Sequence, residues 1–121
     1  MTVAVWAGVV LIGGVGAVLR FLVDRTVSSR VSGLFPFGTL VVNISGALLL
    51  GFLSGLALSP DLALLAGTAF VGSYTTFSTW MLETQRLDEE RQVWPAVANI
   101  VVSVVLGLAA AWLGLRIGGM V

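Results

Sequence analysis

The sequence contains no cysteine and no histidine, and these two absences exclude several kinds of site. Without cysteine the chain forms no disulfide and offers no thiolate nucleophile. Without histidine it forms neither a Ser-His-Asp triad nor a zinc site with histidine ligands. Of the 6 acidic residues, only Glu83 lies away from the loops, and the sequence provides no evident acid-base partner for it. We therefore expect no enzyme.

Charge of either sign is also scarce, because only 10% of the 121 residues are charged while 58% are hydrophobic. A soluble domain usually carries about a quarter charged residues. A chain this short cannot bury such an apolar excess within itself. We infer that most of its surface faces a lipid bilayer. The net charge is zero, which gives no reason to expect a nucleic-acid partner.

Long hydrophobic runs are what the sequence has instead. A helix needs about 20 apolar residues to cross the hydrocarbon core of a bilayer, and four runs approach or exceed that length, at 3–23, 37–58, 62–85 and 95–115. The first run has no basic residues before it and is too long for a cleaved signal peptide. We predict an all-α, multi-pass protein of the cell (plasma) membrane, with four transmembrane helices in a single domain over residues 1–121.

Small and polar residues recur every four positions on the second and fourth runs, as Asn43, Ala47, Gly51 and Gly55, and as Asn99, Ser103, Gly107 and Ala111. Membrane helices associate through close packing of small residues and through interhelical hydrogen bonds. The glycines and alanines therefore predict packing seams. A buried polar side chain needs a partner in hydrocarbon, so Asn43, Asn99 and Ser103 either join helices or line an ion pathway. Both interpretations stay open.

The third run loses its apolar character from Gly72 to Thr79, where Tyr74 and five serines and threonines follow one another closely. Unwound backbone at bilayer depth is tolerated only where protein buries it or where it lines a cavity. Broken membrane helices place free carbonyls at ion sites. We predict a third helix that is broken near residues 72–76. The alternative is a continuous helix whose hydroxyls bond to the preceding turn.

Three motifs, one in each of the first three runs, give the chain a resemblance to a known family. They are GAVLRF at residues 16–21, GTLVVN at residues 38–43 and TTFST at residues 75–79. With these motifs the chain resembles the Fluc fluoride channels, also called CrcB proteins. The resemblance implies passive, fluoride-selective conduction that exports fluoride across the cell inner membrane. It also implies an antiparallel, dual-topology dimer with two pores along the subunit interface.

The resemblance assigns the pore to an asparagine and to aromatic residues, here Asn43, Phe77 and Trp80. Trp80 stands where the family commonly has a second phenylalanine. The chemistry suits fluoride, because an amide NH₂ donates two hydrogen bonds and an aromatic ring has an electropositive edge. Trp80 keeps the aromatic edge and adds an indole N–H donor.

Further residues follow from the same resemblance. A polar track is expected from Ser78, Thr79 and Ser103, and Asn99 stands where many members have tyrosine. Arg20 corresponds to an arginine near the aqueous vestibule. A structural sodium ion is expected at the backbone carbonyls of Gly72 and Thr75. Ser73 and Tyr74 also depart from the family pattern, which has glycine and an apolar residue there.

The arginines leave the identity of the partner subunit open. Orientation follows the arginine and lysine bias of short loops. Arg116 lies on the side of the termini, while the opposite side carries Arg25, Arg30, Arg86 and Arg91. This bias favours one orientation, and therefore a heterodimer with a paralogous subunit in which this chain is a half-pore or non-conducting partner. The resemblance favours an antiparallel homodimer. A proton-coupled multidrug exporter is a further alternative, but it needs a carboxylate deep in the bundle.

Overall fold

The computed structural model describes residues 2–121, and within that range the chain contains helices and connecting turns but no strand. The elements in chain order are α1 (Val3–Arg30), α2 (Phe37–Gly55), α3 (Pro60–Ala63), a π-helical segment (Leu64–Val71), α4 (Gly72–Tyr74), α5 (Ser78–Glu89) and α6 (Val93–Met120). Helices α1, α2 and α6 are long and apolar enough to cross a membrane. The predicted third span is built from the shorter pieces between Pro60 and Glu89. The chain thus has the architecture of a multi-pass membrane protein.

Helix α1 continues past the predicted apolar run, which ends at residue 23, and reaches Arg30. Its N-terminus is capped by Thr2, whose hydroxyl accepts a hydrogen bond from the Val5 N–H at 3.3 Å. The polar residues after the apolar run stay helical because their hydroxyls bond within the helix, as in the bond from Thr26 to the Leu22 carbonyl. The linker to α2 is therefore shorter than the sequence predicted.

The turn before the third span ends in a side-chain cap. Ser59 accepts a hydrogen bond from the Leu62 N–H at 3.4 Å, at the start of α3. The charged segment near residues 86–92 is mostly helical, because α5 continues to Glu89. After α5 ends, Arg91 adopts the left-handed conformation, with φ 60°. The Gln92 N–H donates to the Leu87 carbonyl at 2.7 Å, which satisfies a carbonyl at the end of the helix. Helix α6 begins directly afterwards.

Helices α2 and α6 share the most extensive helix–helix contact among the described residues, and glycines allow their backbones to approach closely. A Cβ atom on Gly51 would collide with the Ala111 carbonyl, and one on Gly114 would collide with the Leu48 carbonyl. A Cβ atom on Gly55 or on Gly118 would also lie too close to backbone atoms of the facing helix. The packing role that the sequence predicted for Gly51 and Gly55 is therefore confirmed. Gly107 differs, because a Cβ atom there would lie 3.9 Å from the nearest atom.

Helix α1 packs against the third span, also through glycines. Gly16 is buried, and a Cβ atom there would lie 2.6 Å from the Phe70 carbonyl oxygen. At Gly13, a Cβ atom would lie 3.2 Å from the Ser73 hydroxyl. Helix α4 is thus held between α1 and α2 just before the chain unwinds.

Candidate functional site

The third span is unwound at residues 75–77. Thr75 is extended, with φ −81° and ψ 160°, and α5 begins at Ser78. The sequence predicted a break near residues 72–76, but Gly72 is still helical, with φ −60° and ψ −36°. The helix ends where both the N–H and the hydroxyl of Thr75 bond to the Val71 carbonyl at 2.9 Å. The non-helical backbone angles therefore occur at Thr75 and not at Gly72.

Asn43 of α2 replaces the hydrogen bonds that the unwound backbone has lost. Its Nδ2 donates to the Thr76 carbonyl at 2.9 Å, and the Thr76 N–H donates to its Oδ1 at 2.8 Å. Thr76 is only 8% exposed, so an unpaired peptide group there would cost free energy. Asn43 is thus a structural link between helices. One hydrogen of its NH₂ group remains available for another acceptor.

Two further contacts hold the ends of the break. The Thr79 N–H donates to the Thr76 hydroxyl at 3.2 Å, which caps the start of α5. On the other side, the Tyr74 and Ser45 hydroxyls lie 2.9 Å apart. Ser45 itself donates to the Val42 carbonyl, so Tyr74 is the donor in that pair. Tyr74, which departs from the family pattern, therefore ties α4 to α2.

A groove of about 290 Å³ runs along the break and gathers four of the predicted pore residues: Asn43, Phe77, Trp80 and Ser103. Phe77 is one of its lining residues and is 70% exposed. The rings of Phe77 and Trp80 are perpendicular, at an interplanar angle of 83°, with their centroids 5.8 Å apart. In this arrangement the edge of one ring faces the other ring, as the quadrupoles prefer. The remaining lining residues are mostly apolar.

Asn99 lies behind Trp80 and outside this groove. It is fully buried, and its Nδ2 donates to the Thr84 hydroxyl at 2.8 Å and to the Trp80 carbonyl at 3.4 Å. The Trp80 indole N–H donates to the backbone carbonyl of Asn99 at 3.0 Å. The N–H that the sequence analysis regarded as an additional donor for an anion therefore already has a protein acceptor.

A second, polar cavity of about 210 Å³ lies on the other side of Thr76. It is lined by Arg20, which the resemblance places near a vestibule, by Thr79, which the resemblance assigns to the polar track, and also by Asp24 and Thr39; it is called the vestibule below. The Thr39 hydroxyl donates to Glu83, so a carboxylate lies next to this cavity. Sequence reasoning missed Asp24 and Thr39 as cavity residues. The position of Thr39 in the motif at residues 38–43, as a polar residue within an apolar run, was the available signal.

The two residues expected to bind sodium line a third cavity, of about 390 Å³, between α2 and the π-helical segment. Within residues 2–121, no backbone N–H donates to the carbonyls of Gly72 or Thr75. The same residues contain no group of three or more carboxylate, histidine or cysteine side chains that could hold a metal. Any cation near the break would therefore depend on neutral oxygens.

Thr75 and Thr76 join these spaces. Thr75 lines both the groove and the third cavity, and Thr76 lines both the groove and the polar vestibule. Of the residues predicted for the polar track, Ser103 lies in the groove and Thr79 in the vestibule, while Ser78 is exposed and lines none of the three cavities. The break is thus the meeting point of the candidate pathway.

Comparison with known proteins decides the family. Residues 7–115 match the model of the family described as CrcB-like protein, Camphor Resistance (CrcB). The chain belongs to the CrcB family. It is 74% identical over 114 residues to the fluoride-specific ion channel FluC 2 of Mycobacterium tuberculosis (strain H37Rv), which covers 94% of this chain and 90% of that relative.

Two other relatives extend the comparison of this CrcB protein. FluC 2 of Mycolicibacterium paratuberculosis is 72% identical over 120 residues, covering 99% of this chain and 98% of the relative. FluC 1 of Symbiobacterium thermophilum is 42% identical over 119 residues, covering 93% and 96%. Both are named as fluoride-specific ion channels. The resemblance that the three motifs indicated is confirmed, and a family of ion channels agrees with the expectation that the chain is not an enzyme.

Proposed function

We propose that this CrcB protein conducts fluoride passively and exports it across the cell inner membrane. The groove beside the break carries the proposal, because it gathers an amide, an aromatic pair and a hydroxyl in one place: Asn43, Phe77, Trp80 and Ser103. The relatives named as fluoride-specific channels support the same ion.

The chemistry of the groove fits a small, strongly hydrated anion. The electropositive edge of Phe77, the remaining N–H of Asn43 and the Ser103 hydroxyl replace part of its hydration shell. None of these three groups carries a full charge, so the ion is not trapped. Arg20 in the vestibule attracts the anion from water, and Thr76 separates the vestibule from the groove. The expected route therefore runs from Arg20 past Thr76 to Phe77.

The groove needs a second subunit to become a pore. It is open along the surface of the chain, and Phe77 at its edge is 70% exposed. An antiparallel partner would supply the missing wall and would form a second, equivalent pore. We propose the homodimer as the primary assembly on the basis of the family resemblance.

A heterodimer in which this chain is a half-pore subunit is the second candidate, and the arginine distribution favours it. Arg25, Arg30, Arg86 and Arg91 lie on one side of the spans, against Arg116 on the other. Relatives named FluC 1 and FluC 2 are compatible with paralogous partners. Mapping both termini in cells with site-specific tags distinguishes the assemblies. A single orientation supports the heterodimer, and comparable amounts of both orientations support the homodimer.

We also propose a structural sodium ion at the carbonyls of Gly72 and Thr75. Both carbonyls lack a backbone donor among the described residues, and carbonyl oxygens are hard ligands that suit a hard cation. The ion would add a fixed positive charge beside the anion pathway. Replacing sodium with N-methylglucamine is expected to lower the thermal stability of the purified protein. Unchanged stability, together with no ²³Na signal broadening, would contradict the site.

Fluoride efflux from liposomes that contain the purified protein alone tests the function. We expect fluoride release in preference to chloride, without a proton gradient. Phe77→Ile removes the electropositive ring edge but keeps an apolar side chain, and it is expected to slow release by at least about 10-fold. Phe37→Ile is the matched control, because Phe37 is also exposed but lies at the start of α2, outside the groove.

Three results would contradict the channel: no fluoride release, chloride release at a similar rate, or release only with a proton gradient. The last result would favour a coupled exporter, for which Glu83, the hydrogen-bond acceptor of Thr39, is the candidate carboxylate. If Phe77→Ile and Phe37→Ile conduct equally well, the pathway lies elsewhere in the molecule.

A further inference from the structure

Trp80 and Asn99 are joined by a closed set of hydrogen bonds that involves both side chains and both backbones. The Trp80 indole N–H donates to the backbone carbonyl of Asn99 at 3.0 Å. In return, the Asn99 amide donates to the Trp80 carbonyl at 3.4 Å. Thr84 completes the set, because it accepts from the Asn99 amide at 2.8 Å and donates to the Trp80 carbonyl at 2.9 Å. The first turn of α5 is therefore tied to α6 at this point.

These bonds determine how the indole faces the groove. Its only polar atom is directed to the backbone of α6, so the ring presents hydrocarbon edge and face to Phe77, at a centroid distance of 5.8 Å. Asn99 lies one turn before Ser103 on α6, and Ser103 also lines the groove. A substitution at Asn99 can therefore affect the positions of both Trp80 and Ser103 in the groove.

Asn99 does not touch the pathway itself. It is fully buried and lines none of the three cavities around the break. Its Oδ1 has no hydrogen-bond partner among the described residues, which costs free energy in a buried position. An apolar residue would avoid that cost, so the value of this amide lies in its two N–H donors, which bond to the Trp80 backbone carbonyl and to the Thr84 hydroxyl.

We propose that Asn99 is a positioning residue: its side-chain amide fixes the Trp80 backbone and the Thr84 hydroxyl, which keeps the indole N–H on the backbone carbonyl of Asn99 and turned away from the conducted anion. The role in conduction rests on the proposed function of the chain as a fluoride channel. Trp80 then acts in the groove as an aromatic ring only. A phenylalanine at this position would need no such hold, because it has no N–H that could turn into the groove and bind the ion.

A double-mutant cycle on fluoride efflux tests the coupling. We expect Asn99→Leu to lower the flux of the wild-type protein by at least about 10-fold but to lower the flux of the Trp80→Phe variant by less than about 3-fold, since residues in contact are coupled. Leucine removes the amide and its unpaired oxygen while keeping the same branched arrangement of heavy atoms, and it leaves in place the backbone carbonyl that accepts the indole N–H. A similar loss in both backgrounds would overturn the proposal, because Asn99 would then act independently of Trp80.

Indole N–H spectra provide a readout that does not depend on flux. Protein labelled with ¹⁵N-tryptophan gives signals from 4 indoles, and Trp80→Phe identifies the signal of Trp80. We expect this signal to stay unchanged on addition of fluoride and to shift in Asn99→Leu or Thr84→Val, with Trp6, Trp94 and Trp112 as internal references. A Trp80 signal that follows the fluoride concentration in the wild-type protein would overturn the proposal. Thr84→Val provides the test if Asn99→Leu does not fold.

The two failures are distinguishable. If the wild-type protein releases no fluoride, the proposed function fails, while the spectra still report whether Asn99 holds the indole. If the wild-type protein conducts and the cycle shows no coupling, the positioning role fails and the channel remains.

Discussion

Helix α2 makes two contacts of opposite character. Its C-terminal half meets α6 through glycines, where Gly51 and Gly114 lie against backbone carbonyls. Its N-terminal half meets the break through the amide of Asn43, which bonds to both the N–H and the carbonyl of Thr76. The first contact depends on the absence of side chains, and the second depends on one particular side chain.

The difference shows how a small membrane protein can be rigid in one region and open in another. At the α2–α6 contact, every peptide group can bond within its own helix, and association depends on shape. At the break, the backbone has left the helix, and Asn43 replaces the lost hydrogen bonds. A change at the glycines should therefore affect folding, whereas a change at the break should affect the cavities that meet there.

The largest effect is expected from Asn43→Asp. A carboxylate can accept from the Thr76 N–H, but it loses the donor to the Thr76 carbonyl and repels an anion in the groove. We expect fluoride efflux to fall by at least about 100-fold, equivalent to a little under 3 kcal/mol. Val41→Ala, an exposed neighbour on the same helix, is the control. Full flux in Asn43→Asp would show that the break does not need this amide.

The next-largest effect is expected at the α2–α6 contact, on the stability of the protein. Gly114→Ala places a methyl group against the Leu48 carbonyl, and the helices must separate. We expect a loss of about 2–3 kcal/mol in the free energy of unfolding, measured in mixed micelles. Gly107→Ala, seven residues earlier on α6, has room for the methyl group and is the matched control. Equal stability of the two variants would refute the close approach.

The smallest effect is expected at the N-terminal end of the break, where Tyr74 precedes the unwound residues. Tyr74→Phe removes the hydroxyl that donates to Ser45, while the ring can keep its stacked contact with Phe70 at 6.0 Å. We expect a loss of about 1 kcal/mol in the free energy of unfolding. The flux should change less than in Asn43→Asp, because Asn43 still holds Thr76. A flux loss as large as that of Asn43→Asp would mean that both ends of the break are equally important.

The sequence predicted an all-helical chain and its three long apolar helices because those signals are local. Hydrophobic length indicated the spans, and the spacing of Gly51 and Gly55 indicated a packing face. The seam residues Gly114 and Gly118 were not singled out, although they are as crowded as the glycines of α2. Which of several glycines meets a carbonyl depends on the rotation of one helix against another, and composition does not contain that information.

Local chemistry also indicated an interrupted third span, since several hydroxyl residues follow one another there. The sequence placed the break near residues 72–76, whereas it lies at residues 75–77. The end of a helix needs hydrogen-bond partners for its free backbone groups, and here these partners come from a distant part of the chain. Asn43 reaches Thr76 from another helix and bonds to the chain where it unwinds, at residues 75–77, while Gly72 stays helical.

By itself, the sequence determined that the chain is helical, that it belongs in a membrane and which family it resembles, because length, hydropathy and short motifs are properties of neighbouring residues. Only the tertiary structure decided what the polar residues do. Asn43 and Asn99 have the same side chain, yet one lines the groove and the other is fully buried behind Trp80. The physical reason is that a hydrogen bond depends on a partner within about 3 Å, and packing brings that partner from a distant part of the chain.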